Sequence, residues 1–404
     1  MEFLKDPVAF IAGLLQNLSA ALNLPPAVES ILGTVIAVVV VASFGLVLVI
    51  PMIWVERKVA ARFQDRLGPN RAGPYGLLQT FADMIKLITK ENITPDGADK
   101  VPYNIAPVLS VVSVVMIWAV IPFSAIWIGS DLNVGVLYIA AVGSFGILSV
   151  LMAGWSSNNK YALLGAFRAV AQLVSYEVPL FMALLVPILL AGTMSVNGIV
   201  EAQSYGWFIL AAPVPALIFF ISSVAEIGRT PFDLLEAESE IVAGFHTEYT
   251  GMKFGMFFAG EFLHAFTISV LTAILFFGGW RGPGIEFSPL VGFFWLMAKG
   301  SAFYFLVMWI RTTLQRIRID HMLAFNWKVL TPLSLVILML TAVLDKVFAG
   351  DPLRVPVLLA ANVVSLFVTL WLATSVSKRQ QKDLQTFPTR PVAVPPASEA
   401  ETSA

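Results

Sequence analysis

AEIGRTPFDLLEAESEIVAGFHTEYTGMKFGMFFAGE, residues 225–261, decides how the chain is to be read. Within it Glu226, Asp233, Glu236, Glu238, Glu240, Glu248 and Glu261 face only two bases, Arg229 and Lys253, in a chain that is 58% hydrophobic. Ionised carboxylates against lipid or a dry core carry a large solvation penalty, so they must be watered, paired or partly protonated. If the segment is helical from Asp233, then Asp233, Glu236 and Glu240 share one stripe at i, i+3 and i+7, with Glu238 on the opposite side. Like charges on one stripe repel, which couples their titrations and suits proton handling near neutral pH. The plainer alternative is a solvated connection between two membrane spans, with Arg229 neutralising Glu226 and Asp233.

Working outward, the 404 residues carry a mean hydropathy of +0.82 and only 13% charged side chains. That combination predicts an all-α polytopic membrane protein rather than a soluble one. The balance of 25 basic and 26 acidic residues gives no reason to expect nucleic acid as a partner. The absence of cysteine excludes disulfides, thiolate-bound zinc and cysteine-ligated iron–sulfur clusters from this chain, so any such cluster must sit in another polypeptide. Glu2 and Asp6 beside Lys5 do not make the basic start of a cleaved signal peptide.

Residues 8–22 are apolar but too short to span, and Pro25 and Pro26 close them off, so residues 1–24 read as an interfacial segment. Uncharged stretches long enough to cross about 30 Å of hydrocarbon then follow in succession. They predict about nine spans, near 31–54, 104–126, 132–154, 164–191, 206–225, 253–278, 289–310, 329–348 and 354–375. The transmembrane domain thus covers residues 25–376, and 377–404 read as a disordered polar tail. Of the 25 Lys and Arg residues, 20 fall in the connections after spans 1, 3, 5 and 7 and in the tail. By the positive-inside rule the N-terminus faces out and the tail is cytoplasmic.

The first of these basic connections, residues 55–100, is punctuated by Gly68, Pro69, Gly73, Pro74 and Gly76. After it Leu77, Leu78, Phe81, Met84, Ile85 and Ile88 recur on one face, which predicts an amphipathic helix lying on the membrane surface or under a partner. Glu56 reads as locally paired with Arg57 and Lys58. Lipid headgroups account for the basic cluster as readily as a docked acidic subunit or the mouth of a site for an amphipathic ligand.

Charges also fall inside the spans: Glu177 in SYEVP, just ahead of Pro179, then Glu261 and His264 one turn apart, then Lys299. Such groups usually face a bundle interior or a watered path and are functional by default. His246 and His321 lack ligand-spaced neighbours, and there is no Gly-rich nucleotide loop, no HExxH and no Ser-His-Asp order. No catalytic residue and no metal ligand is therefore assigned.

Four motifs in order carry a resemblance: ERKVAARFQDRLGPNRAGPYGLLQTFADMIKLITKE (56–91), SYEVP (175–179), the acidic stretch 225–261, and RTTLQRIRIDHMLAFNWKVLTPLSL (311–335). Here the chain resembles the H subunits of bacterial proton-pumping NADH:quinone oxidoreductase, respiratory complex I, whose mitochondrial counterpart is subunit 1. The resemblance covers most of 31–345. It implies a membrane-arm subunit of a translocase that encloses a quinone tunnel and binds peripheral quinone-module subunits. It also implies small and antiporter-like membrane partners, and the bacterial inner membrane as location. Carried over by position, Glu56, Arg57, Arg62, Phe63, Asp83, Arg229 and Phe232 would line or flank the tunnel for a menaquinone or ubiquinone substrate. Glu226, Asp233, Glu236, Glu238, Glu240 and Glu248 would form the entrance of a proton relay continuing to Glu177 and Glu261. The iron–sulfur clusters and the FMN that serves NADH would belong to partner subunits only. Two rivals remain: the equivalent subunit of a membrane-bound hydrogenase or F420-dependent dehydrogenase, and a stand-alone ion transporter.

Overall fold

In lipid, each backbone N–H and C=O must be satisfied within its own segment or a closed barrel, so the apolar runs of this chain become helices. The computed structural model describes Gly13, residues 25–235 and residues 242–386. The interfacial segment expected over 8–22 lies outside the described residues, apart from Gly13. Along the chain run α1 (Pro26–Phe63), α2 (Gln79–Thr89), α3 (Lys100–Trp118), α4 (Gly135–Ser156), α5 (Lys160–Ala191) and α6 (Val196–Ala202). They continue as α7 (Pro213–Ile227), α8 (Gly251–Phe276), α9 (Pro289–Thr313), α10 (Ile319–Phe325), α11 (Thr331–Val347) and α12 (Arg354–Thr386). Among the described residues, eight helices are long and apolar enough to cross a membrane.

The fifth expected span, 206–225, is the departure. A short 3-10 turn at Phe208–Leu210 precedes α7, which has only 15 residues, about 22 Å of rise. Pro213 and Pro215 favour a helix start there, and Gly228 ends it in the left-handed region at φ 72°. Any Cβ at position 228 would collide with the Leu235 side chain, so the turn leading into the acidic stretch requires glycine. The eighth expected span also differs, because it starts earlier: α10 passes into a π turn at Asn326–Leu330 and on into α11. Helix α12 continues to Thr386, into the segment expected to be tail.

Helix α8 is the axis of the bundle: 78% of its most apolar window is buried, against 11% for α1. It packs on α3, α9, α1 and α7, while α5 packs on α4, α7 and α11. Trp118, Phe219, Phe266, Phe276 and Tyr304 fill the space between them. Gly165 on α5 permits close approach, since a Cβ there would lie 2.8 Å from the Gly244 backbone. Helix α2 forms as the amphipathic surface element expected, with Phe81, Ile85 and Ile88 exposed.

Lys299 is a correction. Its Nζ donates to the carbonyls of Phe277 at 2.8 Å, Gly279 at 2.9 Å and Arg281 at 2.6 Å, and lies 5.3 Å from the Trp207 ring centroid. It satisfies three carbonyls in the turn after α8, a structural duty that frees it from any need for a watered path. Pro179 has a structural consequence of the same kind. It leaves the Ser175 carbonyl without a helical donor, and Asn326 Nδ2 donates to that carbonyl at 2.6 Å, tying the π turn to α5.

Candidate functional site

The acidic stretch begins where α7 ends, so its first members are held by the bundle. Glu236, Glu238 and Glu240 lie outside the described residues. Gln172 on α5 fixes the approach: its Nε2 donates to the Ala225 carbonyl at 2.6 Å and to the Phe232 carbonyl at 2.7 Å. Arg229, between these two anchors, is thereby directed into the bundle, and Asp233 follows directly after them.

Arg229 meets Glu56. Its Nη1 lies 2.6 Å from Glu56 Oε1 and its Nε 2.9 Å from Glu261 Oε1, while the guanidinium stacks 4.7 Å over Phe262. Glu56 also accepts from Tyr304 OH at 2.9 Å and from Arg311. This corrects two sequence readings. Glu56 is paired across the bundle rather than with Arg57 and Lys58, and Arg229 neutralises Glu56 and Glu261 rather than Glu226 and Asp233. Burial accounts for this: Glu56 and Arg229 are both almost wholly removed from water, and the buried carboxylate takes the opposite charge and hydrogen bonds that Arg229, Tyr304 and Arg311 supply across the bundle. Arg57 instead pairs with Asp83 on α2.

Three cavities run from this ionic cluster. The first, about 620 Å³, is lined by the charged Glu56, Arg57, Arg229, Arg311 and Glu261 together with the apolar Ala60, Phe258, Phe262 and Met308. The second, about 110 Å³, shares Phe258 and Glu261 with the first and adds Glu226, His246 and His264. The third, about 40 Å³, shares Glu226 and His264 with the second and reaches Glu177. A water needs roughly 10–15 Å³ measured this way together with polar partners, so even the smallest can hold one. Glu177 accepts from Ser144 Oγ at 3.0 Å. His264 Nε2 lies 3.9 Å from Glu226 Oε1.

A model of the NADH dehydrogenase family matches residues 35–342. The NADH-quinone oxidoreductase H subunit of Dehalococcoides mccartyi (strain CBDB1) is 47% identical over 329 residues, 81% of this chain and 91% of the relative. The H subunits of Brevibacillus brevis and Rhodospirillum centenum are 44% and 43% identical, covering 81% and 78% of this chain and 97% and 92% of their own lengths. The chain belongs to the H-subunit family of NADH-quinone oxidoreductase.

In this family member the expected site residues separate into three groups. Glu56, Arg57 and Arg229 line the largest cavity, and Glu261, Glu226 and Glu177 follow one another through the next two. Asp83 reaches the site only through Arg57, whereas Phe63 is exposed and Phe232 is buried against Tyr176, 5.3 Å between ring centroids. Arg62 is exposed and lines none of these cavities. Glu248 sits apart, accepting from Asn159 Nδ2 at 2.6 Å near the stacked Tyr103 and Tyr249. Sequence reasoning missed Tyr304 and Arg311 in the cluster, and it marked His264 only as an intramembrane group one turn from Glu261. Arg311 stood inside a quoted motif, but nothing in the local sequence connects it to Glu56.

His246 lies outside the spans, in the turn Gly244–His246, between Phe245 and Phe254. Burial lowers its pKa from 6.5 to about 4, so it is neutral at physiological pH. Burial also raises the Tyr249 phenol above its ordinary value.

Proposed function

We propose that this chain is the membrane-arm subunit of a proton-pumping NADH-quinone oxidoreductase that encloses a quinone tunnel and couples quinone reduction to proton translocation. The observation that carries the reading is a succession of three cavities, each sharing lining residues with the next, from the Glu56–Arg229–Glu261 cluster to Glu177. The names of the relatives favour this over the hydrogenase, F420-dependent and transporter alternatives.

The largest cavity offers what a quinone head needs. Arginine side chains supply donors for the carbonyl oxygens, and Ala60, Phe258, Phe262 and Met308 supply apolar contact for the ring and the first isoprenoid units. Quinone is the substrate, menaquinone or ubiquinone. Electrons arrive from iron–sulfur clusters in partner subunits, which also hold the FMN. The activity is that of the assembly, with no complete active site in this chain.

In the resting cluster two guanidiniums balance the Glu56 and Glu261 carboxylates. Reduction adds two electrons and then two protons to the quinone. As negative charge develops on the head, Arg229 turns toward it and loosens its hold on Glu261, which then accepts a proton. From Glu261 the proton passes through the watered cavities to Glu226 and Glu177. Asp233, Glu236, Glu238, Glu240 and Glu248 supply protons from the cytoplasmic side. The basic connection and α2 dock the quinone-module subunits, and small and antiporter-like subunits take up the far end of the relay. The N-terminus faces out of the bacterial inner membrane and the C-terminus faces the cytoplasm.

The test replaces Glu226 and, separately, Glu240 by Gln in the assembled complex. Quinone-linked NADH oxidation and proton pumping should fall together by about tenfold or more, while NADH oxidation by an artificial acceptor stays unchanged. Normal pumping in both variants would count against the relay.

A further inference from the structure

Between Glu261 and Glu226 the route changes helix, from α8 to α7, and the two carboxylates line the same small cavity. His264 is the side chain at that change of helix. It stands one turn after Glu261 on α8, so its ring projects from the same face. Like Glu226 it is common to the second and third cavities, so it borders both.

We propose that His264 itself carries the proton between Glu261 and Glu226, an inference that rests on the relay reading above. Among the described residues neither ring nitrogen has a hydrogen-bond partner, and the nearest charged atom is Glu226 Oε1, 3.9 Å from Nε2. That gap is too long for a hydrogen bond and short enough that a small rotation of either side chain closes it. A histidine kept for packing is ordinarily pinned through one nitrogen by a carbonyl or carboxylate, which fixes its tautomer. No such hydrogen bond fixes this ring among the described residues.

Its surroundings fit the task. Glu226 faces it from α7, Glu177 from α5, Glu261 from its own helix and His246 from the turn ahead of α8. Hydroxyls are near as well. Ser110 and Ser113 line the second cavity, and Thr267 and Ser223 the third, where Ser223 Oγ is fully buried without a protein partner. An unpartnered buried hydroxyl costs free energy unless a water or a moving proton donor meets it. The step balances simply. A proton from the Glu261 side, delivered directly or through one water, binds a ring nitrogen and makes the imidazolium. The proton on Nε2 then leaves to the Glu226 carboxylate, and rotation or tautomer exchange of the neutral ring resets it.

The experiment uses the intact complex in sealed inside-out membrane vesicles, with NADH-driven acidification and quinone-linked turnover measured beside artificial-acceptor NADH oxidation. His264→Gln keeps size and hydrogen bonding but cannot titrate. It should lower pumping and quinone-linked turnover about tenfold or more with the artificial-acceptor rate unchanged. His264→Ala should show the same loss and recover when imidazole is added. Near-normal pumping in His264→Gln beside a Glu226→Gln variant that has lost it would overturn the His264 assignment and leave the relay standing. A loss in both histidine variants that imidazole does not restore would also overturn it, by assigning the ring to packing. If Glu226→Gln pumps normally, it is the relay reading that fails.

Discussion

At the scale of single residues, Glu56 shows how a charge can be obvious in sequence while its purpose is not. Its position at the end of an apolar run marks it at once, yet its partners Arg229, Tyr304 and Arg311 lie 173, 248 and 255 residues away. Local spacing cannot reveal contacts at that separation. The same geometry yields a stability prediction. Glu56→Ala takes the carboxylate from Arg311 and one of two from the buried Arg229, and should destabilise the assembled subunit by about 1–3 kcal/mol, read as a lower thermal transition of the purified complex. His246 gives a pH prediction. Its folded pKa of about 4 lies below the ordinary 6.5, so the folded form binds fewer protons than the unfolded form between those values. Its stabilising effect is complete above pH 6.5 and is lost progressively as pH falls toward 4. The thermal transition should drop between pH 7 and pH 5, and His246→Gln should flatten that slope.

At the scale of elements, the long helices were legible because lipid allows an uncharged run of sufficient length few alternatives. Helix α7 was harder: residues 206–212 are as apolar as its core, and only Pro213, Pro215 and Gly228 reveal that the helix is short. The π turn at Asn326–Leu330 left no local signal, and the carbonyl that its Asn326 meets is one that Pro179 frees on another helix. Lys299 was misread for a related reason. A lysine in an apolar run looks functional until the turn after α8 closes over it and presents three carbonyls. Lys299→Met should therefore lower thermal stability by at least about 1–3 kcal/mol, while the protons pumped per NADH oxidised stay unchanged. A lowered ratio with normal stability would return Lys299 to the pathway.

At the scale of the whole molecule, α8 joins the parts. It carries Glu261 to the ionic cluster and His264 to the inner cavities, and it packs on the helices bearing Glu56 and Glu226. A charge that appears in the large cavity is thus one salt bridge from Glu261, the start of the proposed relay, close enough for direct electrostatic coupling in a poorly screened interior. The excess of acid in residues 225–261 pointed to this region from sequence alone, but not to the order Glu261, Glu226, Glu177, because that order exists only after three helices meet. Infrared difference spectroscopy of the assembled complex, recorded as quinone is reduced, tests the coupling most directly. The account predicts a carboxyl C=O band that changes on reduction and is missing from the Glu226→Gln complex. An unchanged carboxyl region, or the same band surviving in that variant, would contradict it.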